Sequence, residues 1–292
     1  MSMNSAAAKI LKSKIKTPNI IGDLNEVIPI YLRKVLTAER IINLGVSELV
    51  RQPKLIKCTP ISIVSAFKKC AKMGLEPGNS FDHVYFQAKF NRSSNNYECV
   101  ASIGYKGYIV LAYRQGIVIT ARAVYKNDIF QCHQGLNPVL VHEVSTEEEG
   151  AFIGAYAIAT LPNNTKIFEY LPLSKINQAR DDSFAQSETP KGNDWARSPN
   201  HPWNKYYDSM ARKTPIRRLF NHLPISTEMA LAVNYDEQAE TGYQDTSYIE
   251  EYSEDNLDVS GLDPQEEQDT ATPLQNEEDN LTTTKELIIK GE

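Results

Sequence analysis

"FDHVYFQAKFNRSSNNYECVASIGYKGYIVLAYRQG" is the sequence of residues 81–116. The spacing of its hydrophobic residues changes between its first and its last part. Its first part holds two runs rich in β-branched and aromatic residues around the polar turn NRSSNN, a pattern typical of a β-hairpin. Its last part begins at Gly104, closes at Gly116 and predicts a short helix. A hairpin followed at once by a helix indicates an α+β domain with an antiparallel sheet.

Two amphipathic helices are predicted before this hairpin. The first lies in TAERIINLGVSELVRQ (37–52), with Thr37 as its cap. The second lies in TPISIVSAFKKCAKMGLEPG (59–78), with Thr59 as its cap, Pro60 at its first position and Gly74 at its end. The first helix is expected to bury Ile41, Ile42, Leu49 and Val50. The second is expected to bury Ile63, Val64, Phe67, Cys70 and Ala71. The second helix also contains three bases outside this buried set, which are expected on a solvated face: Lys68, Lys69 and Lys72.

The chain after residue 116 predicts more antiparallel sheet and then helix. IVITARAVYK (117–126) reads as a strand, with Arg122 and Lys126 on one face because residues four apart in a strand share a side. A second hairpin, a short helix from Ser174, a loop from Asp181 to Pro202 and an interrupted helix from Trp203 to Leu223 follow. We therefore expect N-terminal helices, a small antiparallel sheet with an inserted helix, and a basic C-terminal helical segment.

Charge divides the chain into unequal parts, although its overall net charge is only −6. Residues 236–292 hold 18 acidic and two basic residues, whereas residues 1–235 hold 29 basic and 19 acidic residues. The expected organisation is a flexible basic N-terminus (1–20), a core that binds a polyanion (21–235) and a disordered acidic tail for protein interaction (236–292). A solvated surface with an inert tail is the alternative.

The densest basic stretch is MARKTPIRRLFNHLP (210–224), and no acid occurs between Asp208 and Glu228. Its four cations would repel one another unless an anion compensates them, and phosphates would do so. Pro215 removes a helix donor and is expected to restart the helix, which would create a helix N-terminus suited to a phosphate. The alternative is an exposed basic helix without a ligand. The four cations are Arg212, Lys213, Arg217 and Arg218.

Aromatic residues alternate with bases in two places. Trp203, Tyr206 and Tyr207 surround Lys205, and a second group places Tyr105 and Tyr108 around Lys106. Single-stranded nucleic acids are bound by cations that follow the backbone and by flat rings that stack on bases. Burial of each ring in the core is the alternative.

Several other classes of site lack a sequence signal. The four cysteines have no CxxC spacing, and Cys132, His133 and His142 form too sparse a set to predict a metal. There is no P-loop, no acidic cluster of the spacing used by nucleases and no recognisable nucleophile–histidine pair. We expect no catalytic residue and no cofactor. A secretion signal and a long apolar run are also missing, which predicts a cytoplasmic protein without a membrane span.

Four stretches in order along the chain resemble the RecT/Redβ family of phage-type single-strand annealing proteins, and its RecT branch in particular. They are MGLEPG (73–78), IGYKGYIVLAYRQG (103–116), GLNPVLVHE (135–143) and PWNKYYDSMARKTPIRRLFNHLPIS (202–226). The resemblance covers roughly residues 25 to 230. One departure is Pro215, where the family usually continues the helix with Ala or Val.

The resemblance implies a DNA recombination and repair protein that coats single-stranded DNA and pairs complementary strands without ATP. It implies a homo-oligomer, as a ring or a filament, and a partner 5′→3′ exonuclease, with a host single-strand-binding protein as a further candidate partner. The residues that the family motifs transfer to a DNA groove are Gly104, Tyr105, Lys106, Arg114, Arg212, Lys213, Arg217 and Arg218. The basic and aromatic pattern adds Arg122, Lys126, Trp203, Lys205, Tyr206 and Tyr207.

Two other functions stay open at this point. One is a metal-dependent nuclease of a recombination system, and the other is a basic scaffold that binds acidic protein partners. The basic N-terminus and the N-terminal helices are expected to supply subunit contacts, and the acidic tail is expected to dock partner proteins or to act as a DNA mimic.

Overall fold

The computed structural model of the chain describes residues 15–78, 83–91, 94–186, 198–199 and 201–241. Short 3-10 turns occupy Ile30–Leu32 and Pro53–Lys57. The α-helices are α1 Pro18–Val27, α2 Ala38–Arg51, α3 Pro60–Met73, α4 Tyr105–Arg114, α5 Leu173–Gln186, α6 Pro202–Lys205, α7 Tyr207–Phe220 and α8 Thr227–Thr241. The strands are β1 Val84–Asn91, β2 Asn96–Ile103, β3 Val118–Tyr125, β4 Ile129–His133, β5 Val139–Glu143, β6 Phe152–Thr160 and β7 Lys166–Pro172.

The two predicted N-terminal helices are confirmed as α2 and α3. Thr37 caps α2, since its Oγ1 accepts a hydrogen bond from the Arg40 N–H at 3.3 Å. Gly74 ends α3 with a φ of +64°, a conformation that glycine adopts without steric cost. The five apolar residues predicted to line α3 are all buried. Val50 of α2 is exposed, so the apolar side of α2 is narrower than predicted.

The prediction that Lys69 lies on a solvated face is wrong, because this side chain is 2% exposed. Its Nζ donates to Gln238 Oε1 at 3.1 Å and lies 4.9 Å from the centre of the Tyr235 ring. Both partners belong to α8, which covers this side of α3. Lys68 and Lys72 are half-buried.

The α+β class is confirmed, but the strands form three separate antiparallel sheets. β1 pairs with β2, β4 pairs with β5, and β6 lies between β3 and β7. Both predicted hairpins and the helix inserted after the first are therefore present. In the described residues neither two-stranded sheet has a strand beside its outer edges.

The three-stranded sheet carries α7 on one face and the β4–β5 hairpin on the other. On the α7 face β6 presents the small side chains of Ala155, Ala157 and Ala159, which let the helix approach closely. On the opposite face Tyr156 stacks with Phe130 of β4 at a centroid distance of 6.0 Å. Successive residues of a strand point to opposite faces, so one strand serves both layers.

A buried polar group fixes the β4–β5 hairpin to the sheet. The Nδ1 of His142 lies 3.1 Å from the Tyr156 hydroxyl oxygen, and its Nε2 lies 3.0 Å from Asp128 Oδ2. Both ring nitrogens of His142 thus have protein partners. Across the described ranges no three His, Cys, Asp or Glu side chains come together as a metal-ligand set.

The end of α5 and the interruption between α6 and α7 differ from the sequence prediction. Helix α5 continues to Gln186, past the predicted start of the loop at Asp181, because neither Gly nor Pro occurs in this stretch to stop it. The rest of that loop falls largely outside the described residues. The interruption between α6 and α7 lies at Tyr206, with a φ of −132° and a ψ of 47°.

Helix α7 passes through Pro215 without restarting, so the predicted new helix N-terminus is not formed. Pro215 removes one backbone donor, at a typical cost of about 3 kcal/mol. Burial of Pro215 itself and of Ile216 and Leu219 after it favours the continuous helix. In the preceding turn the Thr214 hydroxyl donates to the Met210 carbonyl oxygen at 2.9 Å.

The folded core extends beyond both limits suggested by the charge distribution. Ile15 and Ile20 are buried, although the sequence placed them in the N-terminal segment 1–20. Helix α8 runs to Thr241 and buries Asp236 completely, although the sequence assigned Asp236 to the tail. The predictions for residues 1–14 and 242–292 fall outside the described part of the chain. None of the helices in the described ranges has the length and apolar character needed to cross a membrane.

Candidate nucleic-acid interface

Two of the four clustered cations converge on one buried carboxylate. Lys213 and Arg217 lie one turn apart on α7 and both reach Asp236 of α8. The Lys213 Nζ lies 2.8 Å from this carboxylate, and the Arg217 Nε lies 3.3 Å from its Oδ2. These contacts fasten the basic helix to α8.

Asp236 also accepts hydrogen bonds from the hairpin and from α4. The Ile103 N–H donates to Oδ1 at 3.0 Å, and the Tyr108 hydroxyl donates to Oδ2 at 3.0 Å. Burial by itself disfavours the charged carboxylate. The charges of Lys213 and Arg217, together with the hydrogen bonds, outweigh burial and lower the pKa of Asp236. Asp236 is therefore a charged junction between four elements.

The remaining two clustered cations also have acidic partners, so the prediction of four unpaired cations is wrong. Arg212 forms an ion pair with Asp208, one turn earlier on α7. Arg218 Nη1 lies 4.0 Å from Glu169 Oε1 of β7. Asp236 and Glu169 lie outside the basic stretch, and its sequence alone could not reveal them.

The start of α4 and the basic helix α7 meet at a cation–aromatic contact. The Arg212 guanidinium lies 5.1 Å from the centre of the Tyr105 ring. Lys106, the next residue, is exposed. The Tyr108 ring packs edge-on against Phe220 with centroids 4.9 Å apart. The structure thus brings together two stretches of sequence about 100 residues apart.

A second cation–aromatic pair lies where α6 meets α7. The Lys205 Nζ lies 5.1 Å from the centre of the Tyr206 ring, and Tyr206 is 53% exposed. A ring that is open to solvent and has a cation beside it can stack on a base while the cation contacts phosphate.

Trp203 and Tyr207 belong to the core. Trp203 is 4% exposed and packs edge-on against Tyr207, whose hydroxyl donates to Asn177 Oδ1 at 3.2 Å. The backbone N–H of Trp203 donates to the His201 Nδ1 at 3.3 Å. Burial lowers the pKa of His201 to about 4, so the ring is uncharged at neutral pH and its Nδ1 accepts the bond.

Gly104 and Arg114 have structural contacts at opposite ends of α4. The Gly104 N–H donates to the His83 carbonyl at 2.9 Å. Arg114 donates to the carbonyls of Met73 and Gly74 at 3.1 and 2.7 Å and so caps the end of α3. Burial, partly offset by Tyr31 and Glu228, lowers the pKa of Arg114. Arg114 is nine residues, or about 14 Å, along the helix from Tyr105.

Arg122 and Lys126 do not join this group. Arg122 pairs across the sheet with Tyr156, on the face opposite to α7. Lys126 follows the end of β3, after a register shift between Val124 and Tyr125. The residue that this shift leaves unpaired is Ile153 of β6, so β3 itself keeps its two-residue alternation through Tyr125, whose ring packs on Phe152 on the α7 side.

A cleft of about 120 Å³ lies between α5 and α7. Lys213 and Arg217 border it, and α5 contributes Asp182 and Ser183. These two residues are absent from the predicted site because the sequence pattern places them in a loop. The spacing of Ala179, Asp182 and Ser183, three and four residues apart, was the available signal that they share a helix face. The other residues that border the cleft are Ala179, Trp203, Met210 and Thr214.

Comparison with known proteins agrees with the resemblance in the motifs. A sequence profile of the RecT family matches residues 39–253, from the first turn of α2 through all the later elements. The chain is 34% identical over 233 residues to protein RecT of Escherichia coli (strain K12), and the match covers 77% of this chain and 82% of that protein. With the profile and the relative both matched over most of its length, the chain belongs to the RecT family of recombination proteins.

Proposed function

We propose that this protein binds single-stranded DNA and anneals complementary strands without ATP, as a non-enzymatic homo-oligomer in the cytoplasm. The observation that carries the proposal is the Arg212–Tyr105 contact. It joins two basic and aromatic stretches, both within the region matched by the family profile. Cations beside accessible rings are what sequence-independent binding of a single strand requires.

Base pairing supplies the free energy for annealing in this mechanism. Each stacked step of a duplex contributes about 1.4 kcal/mol, so no nucleotide hydrolysis is needed once two strands meet. The protein accelerates the encounter by neutralising phosphate repulsion and by keeping bases accessible on one strand. Phosphate contacts carry no sequence information, which suits a protein that must pair any complementary strands.

The exposed and half-buried cations around α7 that do not contact Asp236 are assigned to phosphate contacts, and Tyr105 and Tyr206 to base stacking. These cations are Lys106, Lys205, Arg212 and Arg218. Lys213 and Arg217 are assigned to positioning, because they attach α7 to Asp236. Arg114, Arg122 and Lys126 lie away from this surface and receive no phosphate contact in the proposal.

Annealing of two complementary oligonucleotides in the absence of ATP tests the proposal directly. We expect the protein to speed duplex formation, followed by quenching of a fluorophore pair carried on the two strands. Duplex formation at the protein-free rate would reject the annealing function. Shortening of a labelled single strand with Mg²⁺ or Mn²⁺ would favour a nuclease, and no mobility shift with DNA would favour a scaffold for acidic proteins.

The salt dependence of binding tests the surface itself. Replacing both Lys106 and Lys205 with alanine should flatten the log–log salt slope for single-stranded DNA by about 1.4, since each phosphate contact contributes roughly 0.7. The loss should be the same for all sequences. Fluorescence anisotropy over a salt series measures the slope.

A matched control comes from two exposed lysines on other elements, Lys166 at the start of β7 and Lys175 on α5. Their double alanine variant should keep the wild-type slope. An equal loss of slope in both double variants would show that the contacts are not confined to the α7 surface.

We also propose that residues from 242 onward form an acidic tail that docks a partner 5′→3′ exonuclease or a host single-strand-binding protein. The support is its composition, with 15 acidic and two basic residues, and the resemblance of the core to the family. In this proposal the annealing core comprises the described residues between 15 and 241.

A further inference from the structure

The outer face of the β4–β5 hairpin is exposed and carries several apolar side chains beside the polar Gln131 and His133. The inner face of the hairpin, with Phe130 and His142, packs on the three-stranded sheet. The outer face presents Ile129, Val139 and Val141, and Leu136 at the tip is 97% exposed. Neighbouring exposed apolar side chains on one soluble domain often mark an interaction site.

Acidic residues follow this face along the chain, at the end of β5 and in the loop after it. The loop has a defined position, since the Asn127 Nδ2 donates to the Glu148 carbonyl at 2.9 Å and the Asn127 N–H donates to the Glu149 carbonyl at 3.3 Å. We call the outer face together with these acids the hairpin surface. Its acids, all exposed, are Glu143, Glu147, Glu148 and Glu149.

The turn between α1 and α2 presents the opposite combination. Ile30 and Val35 are 79% and 69% exposed, and Tyr31 between them is also exposed. The exposed bases Arg33 and Lys34 lie in the same turn, which contains no acid. We call these five residues the 30–35 surface. Glu228 of α8 accepts a hydrogen bond from the Tyr31 hydroxyl at 3.4 Å, so two bases face one adjacent acid, and the surface opposes the hairpin surface in net charge.

The two surfaces lie on different layers of the fold. The 30–35 surface belongs to the N-terminal helices, and the hairpin surface lies on the face of the three-stranded sheet away from α7. Two different surfaces that complement each other support head-to-tail association, which gives rings or open filaments. A single surface that pairs with itself would instead stop at a dimer.

We propose that the hairpin surface of one copy of this chain docks on the 30–35 surface of the next copy. The inference rests on the proposed function in one respect, because it takes the protein to act as an oligomer. Apolar side chains supply the contact area, and the opposed charges orient the copies and disfavour hairpin-to-hairpin pairing.

Charge reversal on each surface tests the docking. The first variant combines Lys34→Glu and Val35→Glu, and the second combines Glu147→Lys and Glu148→Lys. Each should raise the protein concentration at the midpoint of assembly by roughly tenfold or more, because like charges then face each other. Sedimentation velocity of the full chain without DNA measures assembly, and melting temperatures confirm that the variants are folded.

An equimolar mixture of the two variants is the discriminating experiment. In a head-to-tail arrangement each junction in an alternating chain again pairs opposite charges, so the mixture should assemble near the wild-type concentration. The variant with all four changes should also recover. A mixture that stays dissociated would overturn the inference and indicate a self-paired surface, or occupation of the 30–35 surface by the acidic tail.

The control reverses two exposed charges elsewhere, with Lys166→Glu and Lys175→Glu, and should assemble like wild type. Wild-type assembly by either surface variant would also overturn the inference. Because assembly is measured without DNA, its outcome is separate from that of the annealing test. Wild-type protein that assembles as expected but fails to anneal would reject the proposed function and leave the docking intact.

Discussion

Replacement of Asp236 with asparagine should lower the free energy of unfolding by about 3–5 kcal/mol, the usual cost of removing one partner from a buried ion pair. The amide is nearly isosteric, so little packing changes. Lys213 and Arg217 would be left near each other without the carboxylate that neutralises them. The Tyr108 hydroxyl and the Ile103 N–H would also lose a charged acceptor.

Urea unfolding followed by circular dichroism measures this loss. The matched control is Asp182→Asn, because Asp182 is an exposed acid beside the same basic helix. The control should change stability by no more than about 0.5 kcal/mol. Equal stabilities of the two variants would show that Asp236 is not the junction described above.

The same variant should alter the response to acid. The pKa of Asp236 is lowered in the folded protein, so its contribution is complete above the unfolded value of about 3.9 and is lost as pH falls through the folded value. Stability of wild type should therefore fall more steeply below about pH 4 than stability of Asp236→Asn.

Replacement of Gly107 with alanine should cost about 3 kcal/mol, at the upper end of the usual range for overpacking. A Cβ at this position would lie 2.5 Å from the His83 carbonyl oxygen and 2.9 Å from the Ile103 Cγ2. The neighbouring backbone cannot move away cheaply, since His83 also accepts the bond from Gly104. The second glycine of GYKG is thus explained by the close approach of α4 to the hairpin.

Gly22 in the middle of α1 provides the control, because a Cβ there meets nothing within 4 Å. Alanine has the higher helix propensity, so Gly22→Ala should stabilise the protein by about 0.5–1 kcal/mol. Thermal or urea unfolding of both variants gives the comparison. A neutral Gly107→Ala would mean that α4 and the hairpin can separate without loss.

The elements that the sequence predicted correctly depend on neighbouring residues. Thr37 and Gly74 mark their helix ends, and NRSSNN marks the turn of the first hairpin, because caps and turns are built from residues a few positions apart. The inserted helix also follows from local glycines. For the same reason Pro215 was misleading, since its cost is local and the burial that overcomes it comes from parts of the chain that are distant in sequence.

The electrostatic arrangement depends on pairs that are distant in sequence. Asp236 lies 23 residues after Lys213 and 128 after Tyr108, and Glu169 precedes Arg218 by 49 residues. Charge counting by segment assigned Asp236 to a tail and therefore left the basic helix without counter-charges. Aromatic residues among bases gave no better guide, since Trp203 is buried while Tyr206 is exposed.

The last turns of α8 determine where the chain can be truncated to remove the acidic tail without destabilising the core. A stop codon after Tyr235 would delete Asp236 and also Ala239, whose carbonyl accepts a hydrogen bond from Lys89 of β1. The shortened polypeptide would lose activity through misfolding, whatever the tail does in the cell. A cut placed after Thr241 keeps the charged junction whole, and only then does the phenotype of a tailless strain report on the tail.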